Sequence, residues 1–470
     1  VPLHRFLASL RMTSGAHGFF RVSYGNMQLR SSIFCLLSIS WLLLYLQAAA
    51  ATQIELDLKE HRLRNGLLLL MHEDHSAPII SFQVWYRVGS INERPGITGI
   101  SHLFEHMMFK GSKNVEPEEH SRIIRVNGGS DNAFTTEDCT AYFENLPSSK
   151  LALAAELEAD RMAYLRLTAE TLASEREVVK EERRLRIDNS LFGTLAETLY
   201  ATAFTEHSYR WPVNGWMADL DAISLEDCKA FYRTHYAPNN ATILILGDID
   251  PQNALSTVEK YFGHLPPAEQ PEAIIPAEPP QGEERQKDLY VDTQFPWLAV
   301  AYHTPEAAHD DIPVLELLGN ILTEGHSSRL YRKIVYEDQA ALSVFTSVDN
   351  NKDPGLFVIT VQNIKQGHTP DEMASVINES LEQLKNETVA ERELNKARNQ
   401  METDLIFNLQ TNFVRGLQMG FSITGSGDPL GFIKDLEKYR TTAADDIQRV
   451  AKKYFTPENR TVVRLLPKGK

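Results

Sequence analysis

Tyr236-Ala-Pro-Asn-Asn-Ala-Thr-Ile-Leu-Ile245 closes the first half of the chain, and Phe455-Thr-Pro-Glu-Asn-Arg-Thr-Val-Val-Arg464 closes the second. Pro238 and Pro457, Asn240 and Asn459, and Thr242 and Thr461 each stand 219 residues apart. In both stretches a helical run ends in a proline turn and a β-branched strand follows. Three identities in one register, at the same place in each half, point to a duplicated unit. The sequence therefore predicts an α+β protein of two similar domains, each with helices packed on a largely antiparallel sheet.

Between the two copies, Pro266, Pro267, Pro271, Pro276, Pro279 and Pro280 crowd one segment. Such density excludes regular structure and predicts a stiff, extended linker over 266–285. The predicted domains are then 52–265 and 286–470. Within the first, Leu67–Met71 and Ile79–Trp85 read as strands. Ser121–Val126 reads as a helix stopped at Asn127-Gly-Gly129, Ala133–Asn145 as a strand, and Leu151–Asn189 as two or more helices.

The first 51 residues differ from the rest, since no acidic residue precedes Glu55. Met27-Gln-Leu-Arg30 gives a basic start, Ile33–Leu46 an apolar run of 14 residues, and Ala48–Ala51 small residues for cleavage. That is the pattern of an export signal, with Met27 as its start and the periplasm as the expected destination. The run is shorter than the roughly 20 residues of a membrane-spanning helix, so an uncleaved anchor is the lesser reading. Arg5, Arg11, Arg21 and Arg30 also suit a mitochondrial transit peptide bound for the matrix, but such peptides are amphipathic rather than continuously apolar.

The formal charge of −16 argues against nucleic acid as a partner, because phosphate binding needs a concentrated basic face. With Cys35 in the leader, Cys139 and Cys228 allow at most one bridge, so the fold does not depend on a disulfide framework.

His102-Leu-Phe-Glu105-His106 carries the chemistry. On a helix, His102 and His106 project from one face a turn apart, and Glu105 lies beside them. Two imidazoles so spaced fill two corners of a zinc tetrahedron, with Glu105 placed to take a proton from water. The order is the reverse of the commoner His-Glu-x-x-His arrangement. With 15 histidines in 470 residues, chance supplies the pentapeptide in about one chain in twenty-five, so it needs support. A third ligand is expected in Glu175-Arg-Glu-Val-Val-Lys-Glu-Glu182, where Glu175 and Glu182 share a helix face two turns apart. Residue chemistry alone does not choose between Glu181 and Glu182, and most glutamates in such a run simply face solvent.

The chain resembles the pitrilysin-type, or inverzincin, zinc metallopeptidases, in the branch of the mitochondrial processing peptidase β subunit and its bacterial relatives. The resemblance rests on Gly99-Ile-Ser-His102-Leu-Phe-Glu105-His106-Met-Met-Phe-Lys-Gly111 and on Asn127-Gly-Gly-Ser-Asp-Asn132-Ala133-Phe-Thr135-Thr-Glu-Asp138-Cys-Thr140-Ala-Tyr142, together with the Glu175–Glu182 run. It implies one zinc per chain held by His102, His106 and Glu182, the last 76 residues after the second histidine. It implies Glu105 as the base, Glu175 as an assisting glutamate, and Asn132 and Ala133 on an edge strand that takes the substrate as an added β-strand. Residue chemistry alone would make Asn132 a turn asparagine.

One departure from the family follows. After the anchor Gly325-His-Ser-Ser-Arg329-Leu-Tyr331, family members that work with their own second half place an arginine and, seven residues on, a tyrosine that contact substrate. Here those positions are Val335 and Leu342; Arg329 and Tyr336 have the spacing only after a shift of six residues. The resemblance thus implies a homologous partner subunit that supplies the pair. The expected activity is zinc-dependent endoproteolysis. The alternatives are a presequence-processing subunit and a non-catalytic structural subunit, the last disfavoured because ligands and base are all present.

Overall fold

The computed structural model describes residues 56–269 and 275–468. The predicted leader with its cleavage positions, and Pro271 of the linker, lie outside the described residues. Residues Asp57–Lys470 form a single unit built on two sheets.

The first half contains strands β1 (Leu58–Arg62), β2 (Leu68–Glu73), β3 (Ile79–Tyr86), β4 (Ser130–Thr135), β5 (Thr140–Pro147) and β6 (Ala241–Gly247). Its helices are α1 (Ile100–Met107), α2 (Glu119–Val126), α3 (Leu151–Tyr164), α4 (Ala169–Arg183), α5 (Leu191–Ala203), α6 (Met217–Ala222), α7 (Leu225–His235) and α8 (Pro251–Phe262). The second half contains β7 (Arg285–Val291), β8 (Trp297–His303), β9 (Ala341–Val348), β10 (Leu356–Ile364) and β11 (Arg460–Pro467). Its helices are α9 (Ile312–Thr323), α10 (Pro370–Asn386), α11 (Glu391–Asn408), α12 (Asn412–Ser426), α13 (Gly431–Thr441) and α14 (Ala444–Tyr454).

The sheets run β1-β2-β6-β3-β5-β4 and β7-β11-β8-β10-β9. Each has one parallel pair, β2 with β6 and β7 with β11, and is otherwise antiparallel. The repeated asparagine explains why the two copies share this form. The Asn240 side chain donates to the His235 carbonyl (2.9 Å), at the end of α7, and to the Arg87 carbonyl just past β3 (3.3 Å). Asn459 donates to the Tyr454 carbonyl (2.8 Å), at the end of α14, and to the His303 carbonyl at the end of β8 (3.0 Å). In each half one amide satisfies a helix-end carbonyl and fixes where the last strand enters.

Each half also lends a helix to the other's sheet. α5 lays Leu195, Leu199 and Ala203 against Ala299, Ala301, Val463 and Leu465 of the second sheet. α12 crosses the first sheet, where the Gln83 amide donates to the Phe413 carbonyl at 3.0 Å. Gly416 and Gly420 permit this approach, since a Cβ there would collide with Gln83 and with the Trp85 ring. Central strand β6 is accordingly buried at all seven residues, the continuous apolar pattern of a strand covered on both faces.

The structure corrects one sequence expectation. Ala133–Asn145 is a hairpin rather than a single strand, with β4 and β5 paired antiparallel. The Thr136 hydroxyl accepts the Asp138 and Cys139 amides at 3.2 and 3.1 Å. That hydroxyl turn breaks the strand where side-chain patterning alone shows no glycine or proline. The 39 residues Leu151–Asn189 do form two helices, followed by a π-turn at Arg184–Asp188. Among the described residues of the predicted linker, 266–269 and 275–284 are neither helix nor strand, and β7 begins at Arg285. Cys139 and Cys228 are both free and buried. Among the described residues no helix is long and apolar enough to cross a membrane.

Candidate metal centre

α1 is built to be held rigidly. Its N-cap, Gly99, sits at φ 88°, a left-handed conformation that glycine adopts without strain. A side chain there would also meet the Asn214 carbonyl and Leu220. The buried Glu93 carboxylate accepts the Gly99 and Ser101 amides at 2.7 and 2.8 Å, satisfying donors that the first turn leaves unpaired. Ile100, Leu103, Phe104 and Met107 are buried in the core of the first half. The remaining face carries His102, Glu105 and His106 toward α4.

There the histidines meet Glu182. His106 Nε2 lies 3.2 Å and His102 Nε2 3.7 Å from Glu182 Oε2. Ligands about 2.0–2.2 Å from a tetrahedral zinc stand roughly 3.3–3.5 Å apart, so these donors fit that ion. All three lie within 4.8 Å of one another. Glu181, which sequence chemistry could not separate from Glu182, points outward, 70% exposed, and pairs with Arg184. Glu175 is buried behind His106, with Oε2 3.8 Å from His106 Nδ1 and Oε1 3.0 Å from Lys110 Nζ.

The electrostatics follow from this packing. Burial pushes His102 down to about 4, with the neighbouring His106 adding to it. Burial opposes the charge on His106 too, but Glu175 and Glu182 outweigh it and raise that imidazole to about 9 in the metal-free chain. The His106 hydrogen bond chiefly holds Glu182 down at about 2. Burial raises Glu105 above the ordinary carboxylate range, and the Thr135 hydroxyl, donating to its Oε2 at 2.7 Å, works the other way.

β4 is the edge of its sheet, one side bonded to β5 and the other open. Asn132 and Ala133 lie on it opposite Phe143 and Tyr142. Asn132 is exposed, and its Oδ1 accepts the Ala133 N–H at 2.9 Å. The strand ends in Thr135, the residue holding Glu105, so the open edge leads directly to the candidate base.

Several contributors were not foreseen in the sequence. The Asn214 side-chain nitrogen stands 3.2 Å from His102 Nδ1, so this amide bears on the orientation of the ring from the side away from Glu182. Glu93, Lys110, Arg186 and Thr135 are likewise contributors that the histidine motif does not name. Only Lys110 and Arg186 stand at helical spacing from their partners' elements, and charged residues at such spacing are common.

In the second half, Arg329 forms a two-pronged pair with Glu393, both contacts 2.8 Å. The Tyr336 side chain is 74% exposed, and Val335 is half-buried. Arg329 is thus engaged inside its own half.

Comparison with known proteins identifies the family. The sequence profile described as "Insulinase (Peptidase family M16)" matches residues 68–215, and that described as "Peptidase M16 inactive domain" matches residues 222–401. The zinc protease PqqE of Helicobacter pylori is 32% identical over 415 residues, spanning 86% of this chain and 92% of that protein. The crystal structure of a protease from Helicobacter pylori superposes with a TM-score of 0.84 at 30% identity, over 88% of this chain and all of that one. The periplasmic protease PqqL from Escherichia coli shares the fold at 17% identity, with a TM-score of 0.71; the match spans 89% of this chain and 48% of that one. On the sequence matches along both halves and the relatedness to PqqE, this chain belongs to peptidase family M16.

Proposed function

We propose that the chain is a zinc-dependent endopeptidase acting on peptides or unfolded polypeptides, with His102, His106 and Glu182 as metal ligands and Glu105 as the base. The convergence of the two Nε2 atoms on Glu182 Oε2, beside a Glu105 held by Thr135, carries this reading. When bound, zinc supplies Lewis acidity toward the scissile carbonyl and acidifies water.

The chain's own groups supply the rest. Asn132 and Ala133 offer backbone on the open edge of β4, so a substrate strand binds by main-chain pairing with little side-chain preference. Glu105 accepts the proton of the attacking water and passes it to the leaving amine. The Thr135 hydroxyl takes one carboxylate oxygen and leaves the other for that transfer. Glu175, braced by Lys110, orients the His106 ring from behind.

We further infer a homologous partner that supplies the arginine and tyrosine contacts, since Arg329 is committed to Glu393 and the aligned positions are Val335 and Leu342. The M16 fold in PqqL occupies about half of a longer chain, which supports two such units working together. The basic, apolar and small-residue order of residues 27–51, and the fold shared with PqqL, a periplasmic protease, support export.

The test is zinc content and peptide cleavage for wild type and Glu105→Gln. The substitution is expected to keep one zinc per chain and to lower cleavage by about 10²–10⁴-fold; undiminished cleavage refutes the assignment. Full activity of the purified chain without any partner refutes the two-subunit reading alone.

A further inference from the structure

We propose that Arg186 is a positioning residue of this metal centre, holding one oxygen of Glu182 so that the other is presented as a single fixed donor. The proposal rests on the zinc reading above and adds to it a residue that the motif does not contain.

Arg186 Nε stands 2.9 Å from Glu182 Oε1, while Oε2 of the same carboxylate faces both histidines. The terminal torsion of a glutamate is broad, so an unrestrained carboxylate offers either oxygen or both. A cation on Oε1 removes that freedom and selects one-oxygen ligation. Removing a group that orients a metal ligand in this way typically costs about 10–100-fold in metal affinity.

The backbone beneath Arg186 is placed with unusual care. α4 ends at Arg183 and continues as the π-turn Arg184–Asp188, closed by the Asn189 amide on the Arg184 carbonyl at 2.8 Å. Turns of this kind are rare and recur at functional sites. α5 holds this one in place. At Gly193 any Cβ would collide with the Arg186 carbonyl oxygen and with Ile187 Cα. The Thr194 hydroxyl donates to the Ile187 carbonyl at 3.0 Å, and Arg183 grips Glu197 at 2.8 and 3.1 Å. The side chain itself is 69% exposed, so the pair adds little to folding. A residue that does little for stability, rooted in so constrained a turn, points to a duty at the metal.

The experiment uses the full chain, stripped of metal and titrated with zinc against a chromophoric chelator of known affinity. Wild type, Arg186→Gln and Arg186→Lys are compared, and thermal unfolding of each metal-free form is recorded. Arg186→Gln is expected to weaken zinc binding by about 10–100-fold, with the metal-free unfolding midpoint unchanged. Arg186→Lys recovers part of the affinity, as a point charge without the planar fork. Zinc affinity of Arg186→Gln within twofold of wild type overturns the proposal. So does a loss that lysine does not recover at all, accompanied by earlier unfolding of the metal-free chain, which assigns the pair a structural role. A wild type that binds zinc but cleaves nothing, even with a partner, counts against the peptidase reading alone. A wild type that binds no zinc overturns both.

Discussion

Among the described residues, the first half holds two clusters in which histidine meets glutamate with donor atoms close enough for a metal: His102, His106 and Glu182, and His120, Glu144 and Glu158. The second is buried throughout and already contains its cation. Arg161 donates from Nε to Glu158 at 2.8 Å and from Nη2 to Glu144 at 3.3 Å. Its guanidinium also lies over the Tyr142 and Phe109 rings, 4.4 and 5.0 Å from their centroids. In the first cluster no arginine or lysine stands among the converging donors: Arg186 touches only the outer oxygen of Glu182, the positive charge there is a proton on His106, whose imidazole is raised to about 9, and both His106 and Glu182 keep some exposure. Donor type and spacing are therefore not the criterion for a metal centre. What separates the two is whether the positive charge is a fixed guanidinium or a proton on histidine, which metal binding displaces.

The comparison can be broken most severely at the ligands. Glu182→Gln is expected to lose both zinc and peptide cleavage to background while Arg161 and its partners keep the core intact, which zinc analysis and circular dichroism would check together. Retention of stoichiometric zinc would mean that the donor set is misassigned.

The opposite change is expected at the buried cluster. Arg161→Met leaves two carboxylates facing each other without a cation and should cost about 3–5 kcal/mol, read by denaturant unfolding. Adding Glu158→Gln to it should recover part of that loss, since the cost comes mostly from uncompensated charge.

A pH dependence is expected at the buried cluster as well. Burial, with Arg161 nearby, pushes His120 down to about 4 from its ordinary 6.5. Above pH 6.5 the imidazole is neutral whether the chain is folded or unfolded. As pH falls from 6.5 toward 4 only the unfolded chain takes up the proton, so stability is lost across that window. Unfolding free energies of wild type and His120→Gln, from denaturant curves at pH 7.5 and 4.5, should diverge by about 2 kcal/mol, the variant being the flatter. Parallel curves would show that His120 is not held neutral.

The smallest effect is expected from Thr135→Val. One hydrogen bond to Glu105 is lost, worth about 1–1.5 kcal/mol, so cleavage should fall about tenfold with zinc content unchanged. A fall in zinc content instead would place Thr135 in the metal centre rather than at the base.

The sequence made much of this readable, and unevenly. Asn240 and Asn459 disclosed the duplication because each performs the same capping task, and local tasks leave local signals. His102, Glu105 and His106 were readable because one helix turn sets their geometry. Glu182 needed the resemblance, and then the fold, because its distinction from Glu181 lies in which side of α4 meets α1. The β4–β5 hairpin was missed because its turn depends on the Thr136 hydroxyl, a contact that ordinary turn residues do not announce. Asn214 and the His120–Glu144–Glu158–Arg161 group could not be seen at all. Their members come from different elements, and no spacing connects them.

The reciprocal loan of α5 and α12 has a consequence for how the molecule can be divided. A cut in the proline-rich segment looks like the natural place to separate the copies, yet it would strip each sheet of the helix that seals one face. The fragment keeping the metal ligands would bare Trp85 and the apolar run of β6; the other would bare Ala299, Ala301 and Val463. Each half is consequently expected to need its twin for a sealed core, and neither to be stable when expressed alone. That mutual dependence gives the second copy a mechanical duty of its own: it completes the platform on which His102, Glu105 and His106 are carried.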